Sequence, residues 1–303
     1  MKIINFTFII PHKNTPDLLQ RCIDSIPRRE DIQIIIIDDN SSNHIVDFDN
    51  FPGQNDNNVE IHFLKENKGA GYARNIGLKH AKGKWLLFAD ADDYYTEDLA
   101  KHLDEIINLQ YDIIYFKTLC RDINGEKMIS YIDYMHNLCL DGKITLNKFK
   151  FSNWVPWNKI FSSSYIFKHN IKFEELPVGN DAFFSLIAND NTNNILIKNS
   201  ILYCYFFNSN SITFSKRTFE RELLYLNINT RINNFLRERH HEDLQIPIFS
   251  PRMNMRIYKS YGIKKLIKYL YIQHTQNSLF QNIKTYFRNN RNFMNSFYRN
   301  SRK

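Results

Sequence analysis

Two groups of carboxylates stand where apolar runs end. Asp38 and Asp39 follow the β-branched run of residues 34–37, and Asp90, Asp92 and Asp93 follow the apolar run of residues 85–89. Adjacent carboxylates at the end of a buried strand are costly unless they have partners. For the first pair a plain turn is one reading, because Asn40-Ser41-Ser42 suits a loop. The second group packs three carboxylates into four residues. A hard divalent cation held through oxygen, with a diphosphate filling other positions, resolves that repulsion. Capping of the helix that begins near Thr96 is the competing use of Asp92 or Asp93. Between the two groups, Lys68-Gly69-Ala70-Gly71 opens a helix that carries Arg74. Free N–H groups at a helix start, with cationic side chains nearby, favour an anion or a polar base edge. No Gly-Lys-Ser/Thr follows, so this is not a P-loop, and GxGxxG spacing is absent.

The elements that must position these residues alternate in type. Residues 3–10 read as a strand stopped by Pro11, and a helix follows from Thr15, with Pro16 at its first position. Residues 33–37 form a continuous β-branched run, the pattern of a strand covered on both faces. Residues 60–64 are a third strand, 69–81 a helix, 84–89 a fourth strand, 96–109 a helix capped by Thr96, and 112–116 a fifth strand. Such alternation predicts a largely parallel sheet with helices on both faces. Its ligands gather beyond the carboxyl ends of the strands, here just after Ile10, Ile37 and Ala89. Residues 119–141 loosen into loop or hairpin. Residues 154–161, 164–169 and 181–188 resume as strand, short helix and helix, and 195–207 as a strand pair broken at Asn199-Ser200. From about Lys216 the pattern is helical.

Taken in order, these segments resemble the family 2 glycosyltransferases with the GT-A fold, of the kind that build bacterial capsular, exo- or lipopolysaccharide. The matching text is Ile9-Ile10-Pro11-His12-Lys13-Asn14, Ile37-Asp38-Asp39-Asn40-Ser41, Glu66-Asn67-Lys68-Gly69, Ala73-Arg74-Asn75-Ile76-Gly77, Ala81-Lys82-Gly83-Lys84-Trp85-Leu86-Leu87-Phe88 and Asp90-Ala91-Asp92-Asp93. Downstream it continues in Trp157-Asn158-Lys159-Ile160-Phe161, Ile171-Lys172-Phe173, Gly179-Asn180-Asp181-Ala182-Phe183-Phe184 and Ser211-Ile212-Thr213. The resemblance covers about residues 3–214. It implies an α/β catalytic domain over 1–215, with a nucleotide-sugar half (1–116) and an acceptor half (117–215), followed by a basic helical region, 216–303.

The resemblance also implies roles. Pro11 and Asn14 sit against the nucleoside, Asp39 accepts from the base (usually uracil), and Lys68 and Arg74 help hold the nucleotide. Asp90 binds the ribose hydroxyls, and Asp92 ligates Mn2+ or Mg2+ with Asp93 as a second carboxylate. His12 stands where the family usually has Tyr. A sugar diphosphate leaves with developing negative charge, which a metal neutralises, and the acceptor hydroxyl needs a general base on the opposite face of the sugar. Asp181 is the candidate base, with a helix cap as its alternative use. The family generally has Glu-Asp where this chain has Asn180-Asp181, a change that also admits a catalytically impaired, scaffolding member. Trp154, Trp157 and Lys159 are candidates for an acceptor platform, although strand tryptophans more often belong to the core. The implied reaction is inverting transfer from a nucleotide-diphosphate sugar, UDP-linked, to a lipid-linked bacterial surface glycan.

Composition narrows the classes. A chain of 303 residues with 15% aromatics and long Ile-rich runs is not disordered throughout. The four cysteines show no metal or disulfide spacing, which suits a reduced, cytoplasmic chain. No apolar stretch approaches the roughly 18 residues of a membrane span. The net charge of +8 divides unevenly: residues 216–303 carry 18 basic and 5 acidic side chains, and the first 215 carry 22 and 27. The basic region is amphipathic, with Leu224, Ile228, Ile232 and Phe235, then Ile263, Leu266, Ile267 and Leu270, at helical spacing. Residues 279–298 add aromatics among Lys284, Arg288 and Arg291. This pattern fits a peripheral helix on an anionic membrane face, or equally a packed subdomain or a homo-oligomer contact. No nucleic-acid motif accompanies the charge, and no nucleic acid is expected as a partner.

Overall fold

A computed structural model describes residues 3–122, 125–207, 217–248, 250–276 and 285. The chain divides into two units, Met1–Ser209 and Asn210–Lys303.

The first unit begins β1 (Phe6–His12), α1 (Pro16–Asp24), β2 (Ile32–Asp38), β3 (Val59–Phe63), α2 (Ala70–His80) and β4 (Trp85–Phe88). It continues β5 (Tyr94–Tyr95), α3 (Leu99–Ile106), β6 (Ile113–Arg121), β7 (Lys127–Met128), α4 (Tyr131–Leu140) and α5 (Leu146–Ser152). β8 (Lys159–Ser162), α6 (Ser163–Lys168), α7 (Ala182–Asp190) and β9 (Ile195–Phe206) complete it. The sheet runs β3-β2-β1-β4-β8-β6-β9-β5, with β7 hairpinned onto β6. β3, β2, β1 and β4 are parallel, and β8 runs antiparallel between β4 and β6. Ile34, Ile35, Ile36 and Ile37 are all fully buried, as a strand covered on both faces requires. Each contributes about 1.5–3 kcal/mol relative to exposure.

Several boundaries differ from the sequence reading. β1 runs through Pro11 instead of stopping there, pairing Pro11 with Ile37 and His12 with Asp38. Alternate residues of a strand turn their backbone groups to opposite neighbours: Ile9 O accepts from Ala89 on the β4 side, and His12 O from Asp39 on the β2 side. Pro11 therefore directs its missing N–H toward β4, just past the last β4 partner of Ile9, where nothing needs it. Thr96 does not cap α3. Its hydroxyl donates to Ile201 O and Leu202 O of β9, and Asp98 holds the cap position. Residues 119–141 contain the end of β6, β7 and α4, and residues 195–206 form one strand whose register shifts at the position read as a break.

The second unit contains α8 (Phe219–Glu238) and α9 (Pro251–Gln276), the latter kinked at Gly262, whose φ is 80°. Phe219, Leu226, Ile248, Ile257 and Tyr269 form its core. Buried Glu222 of α8 accepts from both terminal nitrogens of Arg256 on α9, at 2.8 and 3.0 Å. Ile228, Ile232 and Phe235 are buried as expected, but Ile263 and Ile267 are exposed, and Tyr269 and Gln273 take the inward face of α9. Ser211-Ile212-Thr213 and, apart from residue 285, residues 279–298 lie outside the described residues.

Candidate active site

β1, β2 and β4 end together, and their loops bring the sequence-predicted residues to one place. The ends of β1 and β2 are joined by a buried polar network. His12 Nδ1 donates to Asp38 at 2.8 Å, and His12 Nε2 accepts from Thr15 N at 3.1 Å, which fixes the neutral Nδ1–H tautomer. This is how the turn packs with His in place of Tyr. Asp38 also accepts from Ser41 N and Oγ. Burial alone would raise its carboxyl, but the hydrogen bonds of His12 and Ser41 hold it below the usual range. Ser41 Oγ in turn accepts from Asn14 N, and Asn14 Oδ1 accepts from Ser42 N, each at 2.8 Å. Asn14 thus lies on the rim of an open depression of about 620 Å3, bordered by Asn40, Ser41 and Phe63, while Pro11 stays within β1 opposite Ile37. A larger one, about 760 Å3, opens at the amino ends of β2 and β3, away from these carboxylates.

Asp39 turns its carboxylate to the chain itself. It accepts from Lys68 N at 2.7 Å and Gly69 N at 2.8 Å, holding the loop that starts α2. The Lys68 side chain is exposed, with its ammonium 3.4 Å from Glu66 and over the Tyr72 ring.

Arg74 is the bridge. Nearly buried on α2, it donates to Asp90 Oδ1 at the end of β4 and, at 2.9 Å, to Asn180 Oδ1 before α7, with its guanidinium over Phe173. Its neighbour Asn75 pairs with the backbone of Phe173 in both directions, at 2.9 Å each. The two residues fasten the segment of residues 173–181 to α2, and the next residue, Asp181, comes within electrostatic reach of Arg74 and Asp90. Asp181 occupies the cap position of α7 without making a side-chain cap. Burial pushes its carboxyl up, and the charges of Arg74 and Lys159 draw it back.

The three carboxylates after β4 separate into distinct environments. Asp93 is buried, and both of its oxygens serve the fold: Oδ2 accepts from Tyr203 Oη at 2.9 Å and Oδ1 from Phe206 N at 2.7 Å. Asp93, read as a second metal ligand, thus spends one lone pair of each oxygen on the fold. Asp90 and Asp92 remain partly exposed. Burial first, then the Asp90 charge, pushes the Asp92 carboxyl up to about 6. The backbone N–H of Asp92 itself and the charge of Arg21 oppose this rise only in part. Carboxylates that repel one another and stay partly exposed suit a hard divalent cation, which Asp92 could hold with Asp90 beside it.

Two of the three residues read as an acceptor platform are buried. Trp157 is buried and stacks on Tyr203 and Tyr205 at 5.2 and 5.6 Å. Lys159 is buried and spends its ammonium on Asn153 O, Asn153 Oδ1, Val155 O and Asn158 Oδ1. Trp154 is half-buried, and its Nε1 donates to Phe151 O at 2.6 Å. Trp157 and Lys159 brace the region, whereas Trp154 keeps part of its surface exposed.

Sequence reasoning missed three supporting residues. Tyr203 accepts from Asp90 N while donating to Asp93. Arg21 donates to Asp92 O at 2.5 Å, with its guanidinium packed on Tyr94 and Phe206. Asn75 stood inside a quoted motif without a role. No local signal marks Tyr203 or Arg21, whose partners lie far along the chain.

Comparison with known proteins agrees with this arrangement. Glycosyl transferase family 2 matches residues 7–167. The chain belongs to that family. EpsH of Bacillus subtilis (strain 168), assigned as a glycosyltransferase, is 26% identical over 278 residues, covering 85% of this chain and 78% of EpsH. The poly(ribitol-phosphate) beta-glucosyltransferase of Bacillus spizizenii is 33% identical over 129 residues, 41% of this chain and 20% of that enzyme. Among solved structures, S. aureus TarS residues 1–349 in complex with UDP-GlcNAc aligns with a TM-score of 0.58 at 19% identity, covering 90% of this chain and 91% of that one. The fold is accordingly the GT-A glycosyltransferase fold, with a helical C-terminal part.

Proposed function

We propose that this family 2 member transfers a sugar from a UDP-linked donor to a hydroxyl of a growing bacterial surface glycan, with inversion and with a divalent cation. The observation that carries the reading is the convergence of Asp39, Arg74, Asp90, Asp92 and Asp181 beyond the strand ends. The TarS structure with UDP-GlcNAc supports the choice of donor, and the named relatives support a polysaccharide acceptor.

In this reading the base is taken by Pro11, Asn14 and the Asp39-held loop. Each Asp39 oxygen already accepts one backbone N–H and keeps a lone pair for the base edge. Asp90, oriented by Arg74, takes the ribose hydroxyls. Asp92 would hold a Mn2+ or Mg2+ ion, which would neutralise charge on the leaving diphosphate. Asp181 takes the proton of the acceptor hydroxyl as its oxygen attacks the anomeric carbon. The bond from that carbon to the β-phosphate oxygen breaks, and UDP departs with the electron pair. A single displacement inverts the anomeric centre. Asn180 donates no charge to this step, but its Oδ1 keeps Arg74 in place.

Calorimetry with UDP tests the donor site. UDP binds with Mn2+ present, and its affinity falls at least ten-fold without the metal or in Asp92→Asn. The metal must displace the proton of Asp92, so metal-linked affinity declines as pH falls through about 6. Metal-independent binding, or none, overturns the reading.

No described helix is long and apolar enough to cross a membrane. We propose that the basic C-terminal unit instead rests on the anionic inner face of the cytoplasmic membrane, where a lipid-linked acceptor is met. The exposed apolar side chains of α9 amid lysines support this.

A further inference from the structure

A second cluster of ligating side chains lies at the far end of α2, about 15 Å of helix from Gly69. Glu60 and His62 alternate by two on β3, the edge strand of the sheet, and so share one face. His80 ends the last turn of α2. His62 Nε2 is 2.9 Å and His80 Nδ1 is 3.3 Å from the same oxygen, Glu60 Oε1. The three ligand atoms all lie within 4.8 Å of one another. Ligands at about 2.0–2.1 Å from a tetrahedral metal sit about 3.3–3.4 Å apart, so small side-chain adjustments suffice.

The cluster has a built second shell. Gln33 is buried, and its Oε1 accepts from Thr7 Oγ1 at 2.9 Å and Lys82 N at 3.0 Å. Its amide nitrogen must therefore face the other way, where it donates to Glu60 Oε2 at 3.0 Å and His80 O at 3.1 Å. Glu60 Oε2 is engaged, and Oε1 is turned to the two imidazoles. The Lys82 ammonium, 3.9 Å away, approaches Oε2 and leaves Oε1 uncovered. Hydrogen bonds from Gln33 and His62 outweigh burial and hold the Glu60 carboxyl below its usual range. An oriented carboxylate beneath two imidazoles matches the ligand preference of zinc, with supporting hydrogen bonds as zinc sites use them.

We propose that Glu60, His62 and His80 bind a zinc-class divalent ion, with water at the fourth position, which clips edge strand β3 to the end of α2. This site is independent of the transferase reading and uses none of its residues.

The test uses untagged full-length protein freed of metal by a chelator. Zn2+ is titrated against a chromogenic chelator, and Co2+ is followed by its ligand-field absorption. One equivalent of Zn2+ binds in wild type and in Asp92→Asn, tenfold excess Mg2+ fails to displace it, and Tm rises with Zn2+. His80→Ala, at an exposed position, weakens Zn2+ at least ten-fold and abolishes the Tm response, as does His62→Ala. Lys82→Ala leaves binding intact or tighter. The proposal is overturned if no equivalent binds, or if binding survives both histidine variants and disappears in Asp92→Asn.

Discussion

Asp181 sits at the start of α7 yet leaves the helix uncapped, so its carboxylate is available for proton transfer. Burial raises its pKa, with Arg74 and Lys159 opposing the shift. A base must be ionised to act, so kcat/KM falls as pH drops through that raised pKa. The acid limb of the profile therefore lies above the ordinary aspartate range. Asp181→Asn lowers kcat by about 10^2–10^4-fold, a typical share for a general base, and abolishes that limb. UDP affinity stays within about three-fold of wild type. A variant with normal turnover would sink the assignment. The sequence grouped Asp93 with Asp92 as a metal carboxylate, because their spacing says nothing of which way each side chain turns. What sets Asp93 apart is Tyr203 and Phe206, more than 100 residues later. Lys159 was equally illegible: a cation that closes on Asn153, Val155 and Asn158 looks the same in sequence as one that greets a ligand.

Among the elements, α2 does the most positioning. Its first turn is held by Asp39, and Arg74 and Asn75 fasten the segment leading to Asp181. The approach is close: a Cβ at Gly71 would lie 2.0 Å from Glu174 O and 2.9 Å from Asn180 Cβ. At Gly77 it would meet Ile9 Cγ2 at 2.4 Å, a side-chain atom of the core. Both Gly71→Ala and Gly77→Ala therefore destabilise, by about 1–3 kcal/mol on overpacking. They differ in catalysis. Gly71→Ala displaces backbone next to Asn180 and lowers kcat at least ten-fold, whereas Gly77→Ala keeps kcat within about three-fold in the folded fraction. Thermal denaturation with steady-state kinetics separates them, and equal kcat losses would refute this role for the 173–181 segment. Strands β1, β2 and β4 were readable because burial on both faces writes a nearly unbroken apolar run, and edge strand β3 because its apolar and polar residues alternate. α4 and α5 were missed as helices although their caps are local: Ser130 accepts from Asp133 N and Thr145 from Lys148 N. Their apolar patterns were too mixed to draw attention to those caps.

At the scale of the whole molecule, charge is the organising quantity. The first 215 residues carry an acidic excess that includes the carboxylates of the candidate site, and the basic excess belongs to the remainder. The second unit adds a spatial fact that the sequence pattern had left open. Ile263, Ile267 and Tyr271 recur every four residues after the Gly262 kink and are 56%, 60% and 70% exposed, while Lys264 and Lys268 adjoin them. Helical periodicity identified a stripe but could not say which stripe faces in, because Tyr269 and Gln273 compete for the core. An exposed apolar stripe flanked by lysines is suited to the boundary of an anionic bilayer. Each basic side chain near such a surface contributes about 1 kcal/mol, an attraction that salt screens within a Debye length of about 8–10 Å. The full-length protein therefore floats with vesicles containing phosphatidylglycerol at low salt and not with neutral phosphatidylcholine vesicles. Raising salt to about 0.5 M releases most of it. Ile267→Asp reduces flotation at least five-fold without lowering Tm, because the side chain it replaces is not in the core. If Ile267→Asp floats like wild type, the stripe is not the membrane contact, and flotation indifferent to lipid charge removes the electrostatic half of the proposal.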